Sequence, residues 1–199
     1  MFPERIETDR LVLEPLTPQN VDVLDFYPHA SHRNPHIEEI TEYLSWDPHQ
    51  TPKETREFLD SQAEVWDAGE VANYVVRPKE GEDGAGEIAG AAGLHPDWER
   101  RTGILGTWLR KPFWGRGYSG ERAAALMEVA FDRLDLEVVA VSHHADNEKS
   151  RRAIERYVER FGGQCEGLLR NFETSPDGPV DAYRYTVTRE QWVEATKED

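Results

Sequence analysis

The sequence predicts a single α/β domain in which a mixed, mostly antiparallel central sheet of about six to seven strands is flanked by helices. Three observations carry that expectation. The chain has 199 residues, the size of one ordinary domain. Its apolar periodicity switches between two and 3.6 in the order β-α-α-β-β-β-α-β-α-β-β. Neither an internal repeat nor a long linker interrupts that order, so residues 1–199 are expected to form one domain with a core over about 8–190.

Residues 10–16 (RLVLEPL) alternate Leu11 and Leu13 with polar neighbours and meet Pro15 and Pro18, the pattern of a strand closed by a turn. Thr17 as N-cap, with Pro18 at the first helical position, predicts a helix over residues 18–26. Thr51, Pro52 and Glu54 repeat that signal and open a helix to about Trp66, with Phe58, Leu59, Val65 and Trp66 as its apolar stripe. Residues 71–76, 88–94 and 103–109 form three strands of an expected antiparallel meander. The charged, glycine-rich residues 79–86 (KEGEDGAG) between the first two suggest a mobile hairpin loop. A glycine-rich turn and a helical run then lead to a strand over 136–142 and a helix from Asn147 to about Arg160. Strands follow around 167–172 and over 182–188.

Composition narrows the function. Against 23 Lys plus Arg stand 39 Asp plus Glu, a net charge of −16, which disfavours nucleic acid because phosphate recognition needs a basic surface. Six Trp, seven Tyr and seven Phe are too many core formers for an acidic disordered chain. No run approaches the ~20 apolar residues of a membrane span, and residues 1–10 lack the features of a secretory signal. A cytoplasmic protein with no membrane attachment is the expectation. The basic residues are 5 Lys and 18 Arg; an acidic, lysine-poor surface resembles proteins of salt-loving archaea, and the alternative is an ordinary acidic enzyme. Cys165, the single cysteine, permits no internal disulfide and is expected to be a small buried apolar residue. Four of the seven histidines (His29, His32, His36, His49) lie in residues 28–50. His32 and His36 have the spacing of a pair on one helix face, but no matching ligand set accompanies them and no metal is expected.

The most informative stretch is residues 110–127 (RKPFWGRGYSGERAAALM). Gly115, Gly117 and Gly120 allow backbone N–H groups to point the same way at a helix N-terminus, which is the arrangement of a phosphate cradle. An unliganded strand-to-helix turn would have the same composition. The segment lacks the Gly-Lys-Ser/Thr of a Walker loop. Its G-x-G-x-x-G spacing follows a meander, the wrong context for a dinucleotide fold.

Residues 8–13 (TDRLVL), 106–121 (GTWLRKPFWGRGYSGE), 147–150 (NEKS) and 166–170 (EGLLR), with Asp181 and Tyr185, resemble the GNAT superfamily of N-acetyltransferases. Within it they resemble the RimJ/RimL-like branch that acetylates ribosomal protein N-termini. The resemblance implies the GNAT fold and acetyl-CoA as acetyl donor. It implies that Gly115, Arg116, Gly117, Tyr118, Ser119 and Gly120 bind the pyrophosphate through their amides. Leu109 and Arg110 would pair their backbone with the pantetheine arm, and Asn147 would contact the same chain. Ser150 occupies the position of the acid that protonates the departing thiolate, although Asn147 and Ser150 are also favoured helix caps. A tyrosine common in the family is replaced by Ile154, which leaves Ser150 or water as the acid, with Tyr157 on the Ile154 face a weaker candidate. Glu173 matches a glutamate base of the ribosomal branch, but it lies in residues 171–178 (NFETSPDG), where a solvated loop acid is equally expected.

The implied reaction needs a neutral amine, hence a general base, and a backbone N–H near residues 108–110 for the developing oxyanion. An α-amine titrates near ~8 and a lysine near ~10.4, which favours a protein N-terminus or a small amine over lysine. Alternatives are a small-molecule acceptor (polyamine, antibiotic or amino acid) and a non-catalytic acetyl-CoA-binding module. Glu38, Glu39 and Glu42 are candidates for holding a cationic acceptor, or are simply acidic surface. His143 and His144 have no nucleophile motif beside them and are expected to line a pocket rather than serve a hydrolase. Monomer and homodimer are both compatible with the pattern.

Overall fold

A computed structural model describes residues 1–175 and 178–197. Among the described residues eight strands hydrogen-bond in one sheet, at least one more than expected, in the order Ile6–Glu7, Leu11–Pro15, Ala72–Pro78, Gly90–Asp97, Thr102–Leu109, Val138–His144, Gly178–Thr188, Gln164–Ser175. The chain divides into two compact units, Met1–Gly93 with Thr107–Tyr118, and Leu94–Gly106 with Ser119–Asp199; the division passes through two strands.

The first unit holds β1 (Ile6–Glu7), β2 (Leu11–Pro15), α1 (Val23–Ala30), α2 (Ile37–Thr41), α3 (Pro52–Asp67) and β3 (Ala72–Pro78). It also takes the start of β4 (Gly90–Asp97) and the end of β5 (Thr102–Leu109). β1 pairs antiparallel with β2, and β2 with β3. Leu11 and Leu13 of β2 are fully buried, as their alternation requires. Leu16, Phe26, Leu59, Val75 and Ile88 form the apolar centre, each stabilising the unit by about 1.5–3 kcal/mol when fully buried.

The first helix starts later than residues 18–26 predict. The Thr17 carbonyl accepts from the N–H groups of both Asn20 and Val21, each at 3.0 Å, so Pro18 sits in a closed turn. Asp22 then caps the helix by accepting from Leu24 N–H at 2.7 Å. α3 begins as predicted, with Thr51 accepting from Glu54 N–H. His32 and His36 do not share a helix face. The first lies in the turn after α1 against the Tyr27 ring, and the second precedes α2.

The second unit holds the end of β4, the start of β5, α4 (Tyr118–Glu128), a π-helical turn (Val129–Arg133), β6 (Val138–His144) and α5 (Glu148–Arg160). β7 (Gln164–Ser175), β8 (Gly178–Thr188) and α6 (Arg189–Thr196) complete it. β7 and β8 are longer than predicted: Glu173 pairs with Val180 inside a hairpin ladder, so residues 171–175 are strand rather than loop. Residues 176 and 177 of the predicted loop lie outside the described residues. α6 was missed, although Thr188 and Gln191 complete a reciprocal capping box. Cys165 is exposed on β7, not buried as expected.

β5 and β6 run parallel from Thr102↔Val138 to Leu105↔Val141, and their ladder stops there. β6 continues to pair with β8 as far as His144↔Ala182.

Candidate functional site

After β5, residues Lys111–Phe113 form one 3-10 turn and the chain reaches α4 at Tyr118. Gly115 and Gly117 have φ of 75° and 81°, a region closed to most L side chains, and this turns successive N–H groups to one side. Among the described residues no protein acceptor takes the N–H of Gly115, Arg116 or Gly117. A Cβ on Gly115 would meet nothing within 4 Å. With the partial positive charge of an eleven-residue helix behind it, this segment fits an anionic group such as a pyrophosphate.

The side chains of the loop are held elsewhere. Arg116 donates to the Asp83 carbonyl and carboxylate, each at 2.8 Å, and lies over the Phe113 ring; the Asp83 hydrogen bond raises its pKa further. Tyr118 is buried, donates to Glu82 at 2.7 Å, and has its pKa raised first by desolvation and then by that carboxylate. Glu82 and Asp83 belong to residues 79–86, which form a series of hydrogen-bonded turns gripping the loop, not an open hairpin tip. Arg10 donates to the Arg116 carbonyl at 2.9 Å and lies over the Tyr118 ring. Arg116 and Tyr118 are therefore left with their backbone amides, as Ser119 and Gly120 are at the first turn of α4.

Of the two residues predicted to pair with an extended ligand arm, Arg110 is already engaged. Its N–H donates to the Ala89 carbonyl at 2.8 Å, and its guanidinium reaches Ile88 and Glu87. Successive residues of a strand direct their N–H groups to opposite edges, so Leu109 N–H faces away from Ala89. The Leu109 carbonyl accepts from Trp114 Nε1 at 2.7 Å, which anchors the strand end to the loop.

In the second unit, Asn147 caps α5 by accepting from the Ser150 N–H at 3.0 Å, and Ser150 is half-buried on the first turn. Tyr157 is 3% exposed, its hydroxyl has no hydrogen-bond partner among the described residues, and burial raises its pKa. The weaker of the sequence-predicted acids is thus an enclosed phenol. Glu173 accepts a hydrogen bond from the Ser142 hydroxyl, at the first β6 residue beyond the parallel ladder. The sheet thus brings Glu173 to the ladder end, a position that residues 171–178 read as a loop could not reveal.

His95 of β4 was passed over in the sequence. A Cβ on Gly106, the first β5 residue beyond the ladder, would lie 3.8 Å from its Nε2. The ring is open to solvent, yet enough protein surrounds it to lower its pKa by desolvation, with no charged neighbour contributing. Only the strand pairing makes this residue visible. His143, by contrast, is a core histidine: it is 4% exposed, lies 5.7 and 5.6 Å from the Tyr183 and Tyr185 rings, and bonds the His144 carbonyl through Nδ1.

In the first unit, Glu39 of α2 is neutralised by Lys111 at 2.6 Å, while Glu38 and Glu42 are exposed. Of the predicted acidic trio, Glu39 is therefore no free cation holder. The same unit carries a cluster of half-buried aromatic rings. Trp46 packs edge-on to Trp108 at 5.6 Å, and Phe58 lies against Phe26 and His49. Among the described residues no group of three His, Cys, Asp or Glu is arranged for a metal ion, and no helix is long and apolar enough to cross a membrane.

Residues 10–157 match the acetyltransferase (GNAT) domain family. The chain is 23% identical over 191 residues to the uncharacterised N-acetyltransferase p20 of Bacillus licheniformis, covering 96% of this chain and 99% of that one. The crystal structure of the microcin C7 self-immunity acetyltransferase MccE, in complex with acetyl-CoA and AMP, is similar with a TM-score of 0.78 at 18% identity, over 94% and 97% of the two chains. RimL, a ribosomal L7/L12 α-N-protein acetyltransferase, is similar with a TM-score of 0.75 at 19% identity, over 93% and 94%. At these identities the structural likeness shows the fold.

Proposed function

The chain belongs to the GNAT acetyltransferase family, and from that premise we propose that it transfers the acetyl group of acetyl-CoA to a primary amine, the α-amine of a protein N-terminus. The observation that carries this reading is the run of unengaged N–H groups at Gly115, Arg116 and Gly117 in front of the α4 N-terminus. A pyrophosphate needs several convergent donors and a positive field, and this segment supplies both. Ser119 and Gly120 extend the donor set into the helix. Leu109 N–H supplies a donor for the amide arm or the thioester carbonyl, where it would stabilise developing negative charge.

The chemistry asked of the side chains is modest. The acceptor must arrive neutral, and Glu173, held by Ser142 at the ladder end, is the base in this reading, acting directly or through water. His95, beside Gly106 and with its pKa lowered by desolvation, is a second candidate for the same proton. Ser150 is the donor to the departing thiolate, since its hydroxyl is not needed for the cap that its N–H completes. Asn147 orients that turn. No metal takes part in this scheme.

A small amine is the second acceptor reading. The Trp46–Trp108 wall favours it, because flat or apolar substituents pack well on partly exposed rings. The whole chain acts as one cytoplasmic domain, monomeric or dimeric, in this proposal. Its acidic surface suits a cytoplasm rich in potassium salt.

Thermal unfolding in molar KCl with and without acetyl-CoA tests the donor. Ligand at ~100 times its dissociation constant adds about 2.7 kcal/mol of stability. Gly117→Glu, at a φ of 81° with its Cβ 3.3 Å from Arg10, should abolish the shift. A folded wild type showing no shift would remove the acetyltransferase reading.

A further inference from the structure

The glycine loop receives a side chain from the other end of the sequence. Arg10 lies in a turn that is closed twice: Thr8 N–H donates to the Leu11 carbonyl at 3.0 Å, and Leu11 N–H donates to Thr8 Oγ1 at 2.9 Å. The Arg10 carbonyl accepts from Lys79 N–H at 2.8 Å, which ties the same backbone to the residues after β3. From this base the half-buried side chain reaches the loop. Its Nη1 donates to the Arg116 carbonyl at 2.9 Å, and its guanidinium lies 5.2 Å from the centre of the Tyr118 ring. A Cβ on Gly117 would stand 3.3 Å from Nη2, so this glycine leaves room for the guanidinium as well as adopting a φ of 81°.

The Arg116 carbonyl and the Gly117 N–H are the two ends of one peptide plane, and in a trans peptide they point in opposite directions. A carbonyl fixed on Arg10 therefore sends the Gly117 N–H to the other side. That N–H is one of the three in the loop with no protein acceptor among the described residues. The glycine makes the orientation reversible, because without a Cβ it accepts either sign of φ and lets the plane turn over at little steric cost. Turned over, the plane would aim a carbonyl oxygen where an anion needs a donor. The bonds of the Arg116 and Tyr118 side chains to Asp83 and Glu82 hold those side chains, not this plane. We propose that Arg10 is a positioning residue, a latch that keeps the Arg116 carbonyl turned toward itself and so keeps the Gly117 N–H on the side of the acetyl donor's pyrophosphate. This inference rests on the acetyltransferase reading above. It gives the loop a device from outside its own sequence: one side chain holds the donor-binding form, and donor affinity falls with the fraction of molecules that leave it.

The test separates a latch from general loosening and from a simple charge. Arg10→Met in the full chain should raise the dissociation constant of acetyl-CoA about tenfold, the scale of a lost bond to a charged donor. KM for acetyl-CoA should rise in step while KM for the amine stays within about twofold, the pattern of a donor-side defect. Titrations and kinetics are run well below both melting temperatures, so that lost folding is not read as lost affinity. Arg10→Lys, whose ammonium can reach the same carbonyl but offers no plane to the Tyr118 ring, should fall between the two. The fold-loss in Arg10→Met should be the same across the KCl range in which both proteins stay folded, since screening acts on charges and not on the direction of a peptide. Donor affinity within about twofold of wild type in Arg10→Met would overturn the proposal. So would an equal rise in both KM values, or a loss that fades as KCl is raised, which would make Arg10 a charge acting directly on the phosphates. If Arg10→Met does not fold, Arg10→Lys decides: a donor dissociation constant raised more than about twofold at unchanged amine KM supports the latch, and a smaller change refutes it. Wild-type protein that binds no acetyl-CoA refutes the acetyltransferase reading itself, before any variant is compared.

Discussion

The carboxamide oxygen of Asn147 accepts from the backbone N–H of Ser150 at 3.0 Å, so one residue pair both starts α5 and presents a hydroxyl on its first turn. The two roles separate by mutation. Asn147→Ala should cost about 1 kcal/mol, the usual value of an N-cap, and lower the melting temperature. Ser150→Ala keeps the N–H that the cap uses, so its melting temperature should hold while kcat falls, by roughly 100-fold or more if the hydroxyl is the acid. Tyr157→Phe removes an enclosed hydroxyl with no hydrogen-bond partner among the described residues, and should leave kcat and stability near wild type. Steady-state kinetics and thermal melts on the three variants check the assignment. A kcat collapse in Tyr157→Phe would return the acid to Tyr157.

Stability should fall as pH drops below neutrality. His49 bonds Thr55 at 2.8 Å and lies against Phe58, and burial lowers its pKa below the usual 6.5. Burial likewise lowers that of His29, aided by Arg110. The unfolded chain takes up these protons near ~6.5 and the folded protein only at lower pH, so stability is intact above ~6.5 and declines below it. Urea midpoints at neutral and mildly acidic pH measure the decline. His49→Asn should make it shallower, and an equal decline in that variant would show that His49 has no part in it.

Salt should stabilise the protein. A net charge of −16 on one folded chain repels itself, and raising the salt from 0.1 to 1 M shortens the screening length from about 10 to about 3 Å. The melting temperature is expected to rise steadily with KCl into the molar range. A flat response would remove the salt-adapted reading and leave an ordinary acidic protein.

The parts of this protein visible in sequence are those governed by neighbours along the chain. Alternation places β2, Thr51 and Asn147 announce α3 and α5, and the glycines at 115 and 117 supply the positive φ that the loop requires. These depend on local sterics and on hydrogen bonds that reach only a few residues. Where local signals compete, the outcome is less legible: Thr17 and Asp22 are both good caps, and the turn closed on the Thr17 carbonyl decides between them. Tertiary structure alone made the remaining decisions. Only strand pairing brings His95 beside Gly106 and carries Glu173 to Ser142, and only packing encloses Tyr157 and Arg122 while freeing Cys165 to the surface. Sequence patterns record which face a residue turns, whereas these relations depend on which distant strand or helix meets that face. That choice is made by the burial and hydrogen-bond satisfaction of the whole fold.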